Sequence, residues 1–286
     1  MLAVVKENAA PGVVLKDMPK PSPKPGEVLA RVIHSSICGT DIGLYDWIPW
    51  AAEHVTPPII LGHELLGEIV EINPGNDGDG DGGLSVGDLV SSETHIFCNR
   101  CHQCQVNNRH VCENMKLFGL SRDGAFAEFA TIPIRTTWKN DSSLDRDFMS
   151  VQEPLGNAVY VVEKGNVADK KVLVLGLGPT GLCAGAVAKA YGAQEVVGLD
   201  PQVYRQNIGK QMGFDRVQAK IDRSEHGTFD VVLEMSGNAG AIQAGLDAAR
   251  TAGRFVAFGI PKAPILIDWG KYLINKELRI RSVFGR

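Results

Sequence analysis

Cys98, Cys101, Cys104 and Cys112 are spaced C-x2-C-x2-C-x7-C, with Asn, Arg, His and Gln between them. Four thiolates so placed can close a tetrahedron around Zn²⁺ with no open position, which makes a structural site. Two disulfides or an iron–sulfur cluster would draw on the same residues. A reducing compartment argues against the first, and no electron-transfer partner elsewhere in the chain supports the second. His102 and His110 lie within this lobe, but four cysteines already fill a site, so both read as surface residues. A catalytic zinc needs about three protein ligands and an open position, and Cys38, His63, Glu64 and Glu153 are the candidates. Taken singly, a buried Cys or a hydrogen-bonded His is the commoner role for such residues.

A second chemistry lies in Lys171 to Asp200. Val172 to Leu175 is an apolar run suited to a parallel strand buried on both faces. Gly176, Gly178 and Gly181 follow as G-x-G-x-x-G where a helix must begin. The glycines allow a tight turn, close approach of backbone to a pyrophosphate and close packing of helix on strand. The helix N-terminus offers N–H groups and a positive dipole end to phosphates. The next strand, Val196 to Leu199, ends at Asp200, 19 residues after Gly181. A carboxylate there accepts from the ribose hydroxyls and repels a 2′-phosphate, which favours NAD over NADP. Cys183, in the helix, reads as a small core residue. In the acidic loop Asn76 to Gly83, the residues Asp77, Asp79, Asp81, Gly82 and Asp88 fall at EF-hand spacing for calcium. Strand-like flanks, and Asp where the bidentate Glu belongs, favour a solvated hairpin there.

The elements that must position these residues divide at about residue 150. The first part is rich in strands and turns, with a half-exposed strand expected over 28–33 and another over 68–72. From Phe148 to Gly165 a helix carries the chain into an alternation of strands and helices. Strands are expected over 230–235, 254–260 and 278–284, with a helix over 241–252, which predicts a doubly wound parallel sheet. At 286 residues the chain suits two domains. A net charge of −4 offers no basic field to nucleic acid or anionic membranes. No apolar run reaches membrane-span length and no signal-peptide pattern opens the chain, so it reads as cytoplasmic, with reduced thiols.

Together, CGTD at 38–41, GHE at 62–64 with Gly67, the four-cysteine lobe, EPLGNAVY at 153–160 and GLGPTG at 176–181 resemble the zinc-dependent medium-chain alcohol dehydrogenases. The resemblance implies an α/β chain: a GroES-like zinc-binding β domain, residues 1–150, followed by an NAD-binding Rossmann domain, residues 151–286. It implies that Cys38, His63 and Glu153 hold the catalytic zinc, with Glu64 a fourth ligand at rest or displaced by substrate. Zinc would lower the alcohol pKa, Thr40 would take the proton, and the hydride would pass to NAD. Pro179, Thr180 and Arg205 join the three glycines and Asp200 as cofactor-binding residues. The stretches YDWIPWA, SSETHIFC, DGAFAEF, LEMSG and IDWGKYLINKELRIRSVFGR are similar to those of members that oxidise L-threonine at its 3-hydroxyl. Polyol (sorbitol) or butanediol oxidation shares the same ligands. Family members similar to this chain form homo-oligomers. Three positions depart from the pattern. Gly43 stands where a His commonly passes the proton onward, so the relay is expected to end at the ribose hydroxyls and water, or to borrow His54 or His95. Asn73 replaces a Gly, where a left-handed turn is expected to survive. The sequence stops at Arg286, before a segment that family members use to complete the first domain, so a zinc- and NAD-binding fragment without catalysis is the remaining alternative.

Overall fold

The computed structural model describes residues 1–75 and 80–285. Asp77 and Asp79 of the expected calcium loop lie outside the described residues. The chain divides into two compact units, Met1–Glu153 and Pro154–Gly285.

Among the described residues the first unit carries ten strands, of which the first five are β1 (Leu2–Lys6), β2 (Val14–Asp17), β3 (Glu27–Ser36), β4 (Ile59–Ile60) and β5 (Glu64–Asn73). Then come β6 (Leu89–Ser92), β7 (His95–Ile96), β8 (Lys116–Leu117), β9 (Phe129–Pro133) and β10 (Thr137–Lys139). The main sheet runs β10-β6-β5-β3-β9, all antiparallel, flanked by a β2-β1-β4 sheet and a β7-β8 ribbon. β3 lies between β5 and β9 in the main sheet, and Val28, Leu29 and Ala30 are all buried where alternation predicts a half-exposed strand. Val28 and Ala30 join Leu65, Ile69, Val90 and Ile132 in the core. Each large aliphatic so placed contributes about 1.5–3 kcal/mol. Asn73 is the last residue of β5, paired with Glu27, and its Nδ2 donates to Pro23 O at 2.9 Å. Its backbone is not left-handed, so the expected turn at that position is ordinary strand.

The α-helices lying wholly in this unit, among the described residues, are α1 (Gly39–Asp46), α2 (Pro49–His54), α3 (His102–Gln105) and α4 (Arg146–Met149). The helix expected from Phe148 is therefore two. Asp145 caps α4 by accepting from the Asp147 N–H at 3.0 Å, and α5 (Gln152–Gly165) begins after a break at Ser150 and Val151. The break is held from outside, since Ser91 Oγ donates to Met149 O at 2.9 Å and Ser36 Oγ meets Ser150 Oγ at 2.8 Å.

The second unit is a six-stranded, fully parallel sheet of β11 (Lys171–Leu175), β12 (Glu195–Leu199), β13 (Arg216–Gln218), β14 (Phe229–Glu234), β15 (Ala249–Ala257) and β16 (Arg279–Ser282). Its order is β13-β12-β11-β14-β15-β16, with α6 (Pro179–Ala190), α7 (Val203–Gln211) and α8 (Ala239–Ala248) among the crossovers. Val172, Leu173, Val174 and Leu175 are all fully buried, as an apolar run covered on both faces requires. α8 stops four residues before the expected Ala252, because Ala249 already pairs with Phe229 in the sheet. The chain then irregularly re-enters its register through a left-handed Ala252. Among the described residues no helix is long and apolar enough to cross a membrane.

Candidate metal centre and dinucleotide crevice

Cys38 sits at the N-cap of α1 in extended backbone, and a capping box joins it to Asp41: Cys38 N–H donates to Asp41 Oδ2 at 2.9 Å. His63 and Glu64 come from the entry to β5. That entry is shaped by glycine. Gly62 is left-handed with Phe126 against the place of its missing Cβ, and Gly119 and Gly124 lie so close that a Cβ on either would strike Gly62 O. Gly67 brings β5 against β3, with Ala30 Cβ 3.0 Å from where its own Cβ would stand. The donor atoms of Cys38, His63 and Glu64 thereby lie within 4.8 Å of one another. Glu153, in the first turn of α5, is outside this trio, though its charge acts on the Cys38 thiol. Thr40 Oγ1 is 3.7 Å from Cys38 Sγ.

Burial dominates the electrostatics. It pushes the Cys38 thiol up to about 12, with Glu64 and Glu153 adding and the Thr40 backbone opposing. It raises the Glu64 carboxyl to about 7, with Asp41 adding to the shift. It lowers His63 despite Asp41 beside it, and raises Asp41 despite His63. His63 Nδ1 and Asp41 Oδ1 face each other at 3.6 Å, both buried and without a hydrogen-bond partner among the described residues. An unsatisfied buried polar atom costs about 1–3 kcal/mol. A divalent cation on this cluster reverses these preferences, favouring thiolate and carboxylate. With Asp41 at Nδ1, Nε2 is left for the metal, and a carboxylate behind a metal-binding His fixes its ring and raises its basicity. The donor set therefore fits a zinc ion with one thiolate, one imidazole and a carboxylate.

The cysteine lobe is built on turns. Asn99 and Asn107 adopt left-handed backbone between the ligands, a conformation Asn tolerates better than most residues. The four Sγ atoms of Cys98, Cys101, Cys104 and Cys112 lie within 4.8 Å of one another. All six cysteines are free thiols, so the disulfide option is not realised. Backbone N–H groups point at the sulfurs: Cys98 and Asn114 each to Cys112 Sγ at 3.3 Å, and Cys101 to Cys98 Sγ at 3.4 Å. Such donors, the Arg100 backbone foremost, bring Cys98 down to about 6, whereas burial pushes Cys104 up to about 12. The lobe fits a closed four-thiolate zinc site. His102 is exposed and outside this four-sulfur group.

The proton-relay alternatives fare differently. His54 lies on exposed α2, stacked on Trp50 with Nδ1 against Trp50 O at 2.8 Å. His95 is buried and held at about 4 by burial, with His110 and His63 contributing.

In the second unit, β11 has β12 on one side and β14 on the other, so the strand order reverses at their C-terminal ends. Crevices at such switch points are where ligands bind in open α/β sheets. Gly176 turns in left-handed backbone against Ser236, and Gly181 packs on Gly176 O, where a Cβ would clash. Gly178, at the N-cap of α6, has open space where a Cβ would be. Pro179 and Thr180 form the first turn of α6. The cradle fits a pyrophosphate. Asp200, buried at the end of β12, accepts from Leu177 N–H at 2.9 Å, Gln202 N–H at 2.8 Å and Arg205 Nη1 at 3.4 Å. Its carboxylate thus ties the glycine-rich turn to β12.

Asp41, Gly119 and Gly124 carry no role in the sequence reading. Asp41 had a signal, since it lies three residues after a candidate ligand at an N-cap. The two glycines had none, because their contact with Gly62 is made only by the fold.

The chain matches two family descriptions: "Alcohol dehydrogenase GroES-like domain" over residues 24–142 and "Zinc-binding dehydrogenase" over 179–286. It is 41% identical to the L-threonine 3-dehydrogenase of Pyrococcus abyssi, across all of this chain and 83% of that protein. Among solved structures it is similar to a zinc-binding dehydrogenase of Sinorhizobium meliloti bound to NADP (27% identity, TM-score 0.87, all of this chain and 84% of that one). It is also similar to an Escherichia coli alcohol dehydrogenase complexed with NADH (25% identity, TM-score 0.88, all of this chain and 84% of that one). A buried Cys–His–Glu cluster, a four-thiolate lobe and a glycine-rich switch point agree with that likeness, and the chain belongs to the zinc-dependent medium-chain alcohol dehydrogenases.

Proposed function

We propose that this enzyme oxidises L-threonine at its 3-hydroxyl with NAD. The observation that carries the substrate is the 41% identity to a threonine 3-dehydrogenase over the full chain. Zinc, when bound, supplies the Lewis acidity that makes the alcohol a better acid, and the nicotinamide accepts the hydride. Cys38, His63 and Glu64 would hold the ion, and Glu153, whose charge acts on the Cys38 thiol, would be a further carboxylate candidate beside them. Thr40, beside Cys38 at the start of α1, accepts the substrate proton. Gly43 passes nothing onward, so the proton leaves by water or the cofactor's ribose. Cys98, Cys101, Cys104 and Cys112 hold the second, structural zinc. Gly176, Gly178, Pro179, Thr180 and Gly181 cradle the pyrophosphate, and Asp200 with Arg205 meets the adenosine ribose.

NAD is favoured because a 2′-phosphate would approach the Asp200 carboxylate. Arg205 beside it would welcome that phosphate, so cofactor choice is measured with both. The test is reduced-cofactor appearance with zinc supplied, comparing L-threonine, sorbitol and 2,3-butanediol, each with NAD and NADP. Turnover of threonine with NAD is the expected result. Faster turnover of either diol would overturn the substrate, faster reaction with NADP the cofactor, and no turnover from a chain that binds NADH and two zincs the catalytic reading.

A further inference from the structure

We propose that Glu234 is a positioning residue for the dinucleotide, a buried carboxylate that locks two loops of the crevice together. The inference rests on the dinucleotide reading above. Glu234 is the last residue of β14, fully buried, at the strand end where the order reverses. Its Oε1 accepts three hydrogen bonds: from Ser236 N–H at 2.8 Å, Ser236 Oγ at 2.6 Å and Gly237 N–H at 2.9 Å. Its Oε2 accepts from Gly259 N–H at 3.1 Å, in the loop that leaves β15. One side chain therefore binds the exits of both β14 and β15.

The backbone repeats the link, since Phe258 N–H and Gly259 N–H donate to Glu234 O at 3.0 and 3.1 Å, and Met235 N–H donates to Leu175 O at 2.9 Å. Three neighbouring strand ends, β11, β14 and β15, are thus fastened through residues 234 and 235. The locked segment lies directly on the glycine-rich turn: Ser236 Cβ is 2.8 Å from where a Cβ on Gly176 would stand. Gly237 and Gly259 are packed so tightly that a Cβ on Gly259 would strike Gly237 N and crowd Glu234 Oε2. Every group that contacts the carboxylate in this set is a donor. An acceptor-only side chain suits all four bonds, and charge-assisted bonds of this kind are the strong ones. An amide in its place would turn an NH₂ toward at least one N–H, so that two donors face each other and the side chain accepts fewer of the four bonds. The loops would then part from the turn that receives the pyrophosphate, although no atom of the pyrophosphate cradle has changed.

The test is NADH affinity, by fluorescence titration, of the zinc-loaded wild type, Glu234→Gln and Ser236→Ala, each well below its unfolding midpoint. Loss of one charge-assisted hydrogen bond corresponds to about tenfold in a dissociation constant. Glu234→Gln is expected to weaken NADH by about that factor or more, and Ser236→Ala, which removes one donor to Glu234 and the exposed acceptor of Asn238 N–H without adding bulk, by less. Both should retain two zincs. A merely structural role would lower the unfolding midpoint and leave the affinity untouched, so dissociation constants within twofold of wild type would overturn the inference. If Glu234→Gln does not fold, Ser236→Ala decides alone by the same criterion. A wild type that binds no NADH would instead overturn the dinucleotide reading from which the inference starts.

Discussion

Asp41 holds two positions at once. One oxygen caps α1 at Cys38 N–H, and the other faces His63 Nδ1. Asp41→Asn keeps an oxygen for the cap and removes the charge behind the imidazole. Changes of this kind beneath a metal ligand cost about 10–100-fold in metal affinity. We expect that loss at the catalytic zinc, read by competition with a chromophoric chelator, while the four-thiolate zinc stays in place; unchanged affinity at both sites would refute the role given to Asp41. Cys38 with Thr40 and His63 with Glu64 were singled out through the family resemblance, and the fold brings the donor atoms of Cys38, His63 and Glu64 within 4.8 Å of one another. Glu153 is harder. Its distance from the trio depends on where α5 begins, which the Ser36–Ser150 and Ser91–Met149 bonds decide across the fold. No spacing announces such contacts. Asp200 carries a related lesson: it is legible as a ribose acceptor, but its bond to Leu177 N–H makes it a brace of the turn as well. Substituting it would therefore loosen the turn for both cofactors, on top of the ribose contact that only NAD is expected to lose.

Among elements, the cysteine lobe is the one whose shape depends most on an ion. α3 has four residues and β7 and β8 two each, too little secondary structure to hold four sulfurs together unaided. Cys98→Ser removes a ligand and an acceptor of the Cys101 and Asn114 donors. The expected outcome is one zinc per chain instead of two by metal analysis, with faster proteolysis of residues 98–112. Two tightly held zincs in the variant would refute the site. The lobe was legible because ligand spacing is a local property. So were β11, β12 and β14, whose apolar runs reflect burial on both faces. Element ends were less so. Alanines favour helix in isolation, and only pairing with Phe229 stops α8 before Ala252.

At the scale of the molecule, acid should unfold the chain through carboxylates spread over both units. The Lys139 bond holds Asp88 below its usual 3.8. Burial pushes Asp215 and Glu225 upward, but Lys189 with the Val196 amide, and Gln218 with Arg216, hold them below 3.8 and 4.5. A carboxylate depressed by folding adds stability above its unfolded pKa and loses it as pH falls through the folded one. These carboxylates should therefore make denaturant midpoints fall as the pH drops below about 4, and Asp215→Asn should shrink that fall; a variant with the full wild-type fall would contradict the assignment. The two-unit alternation was legible at this scale because it follows from the periodicity of apolar residues. The contact of Gly62 with Gly119 and Gly124 was not, and it bears on anyone who would move this chemistry elsewhere. The His63–Glu64 corner is not a portable motif. A transplant onto another scaffold would have to bring the loop from Phe118 to Phe126 with it, since that distant strip of chain is the mould in which the corner is cast.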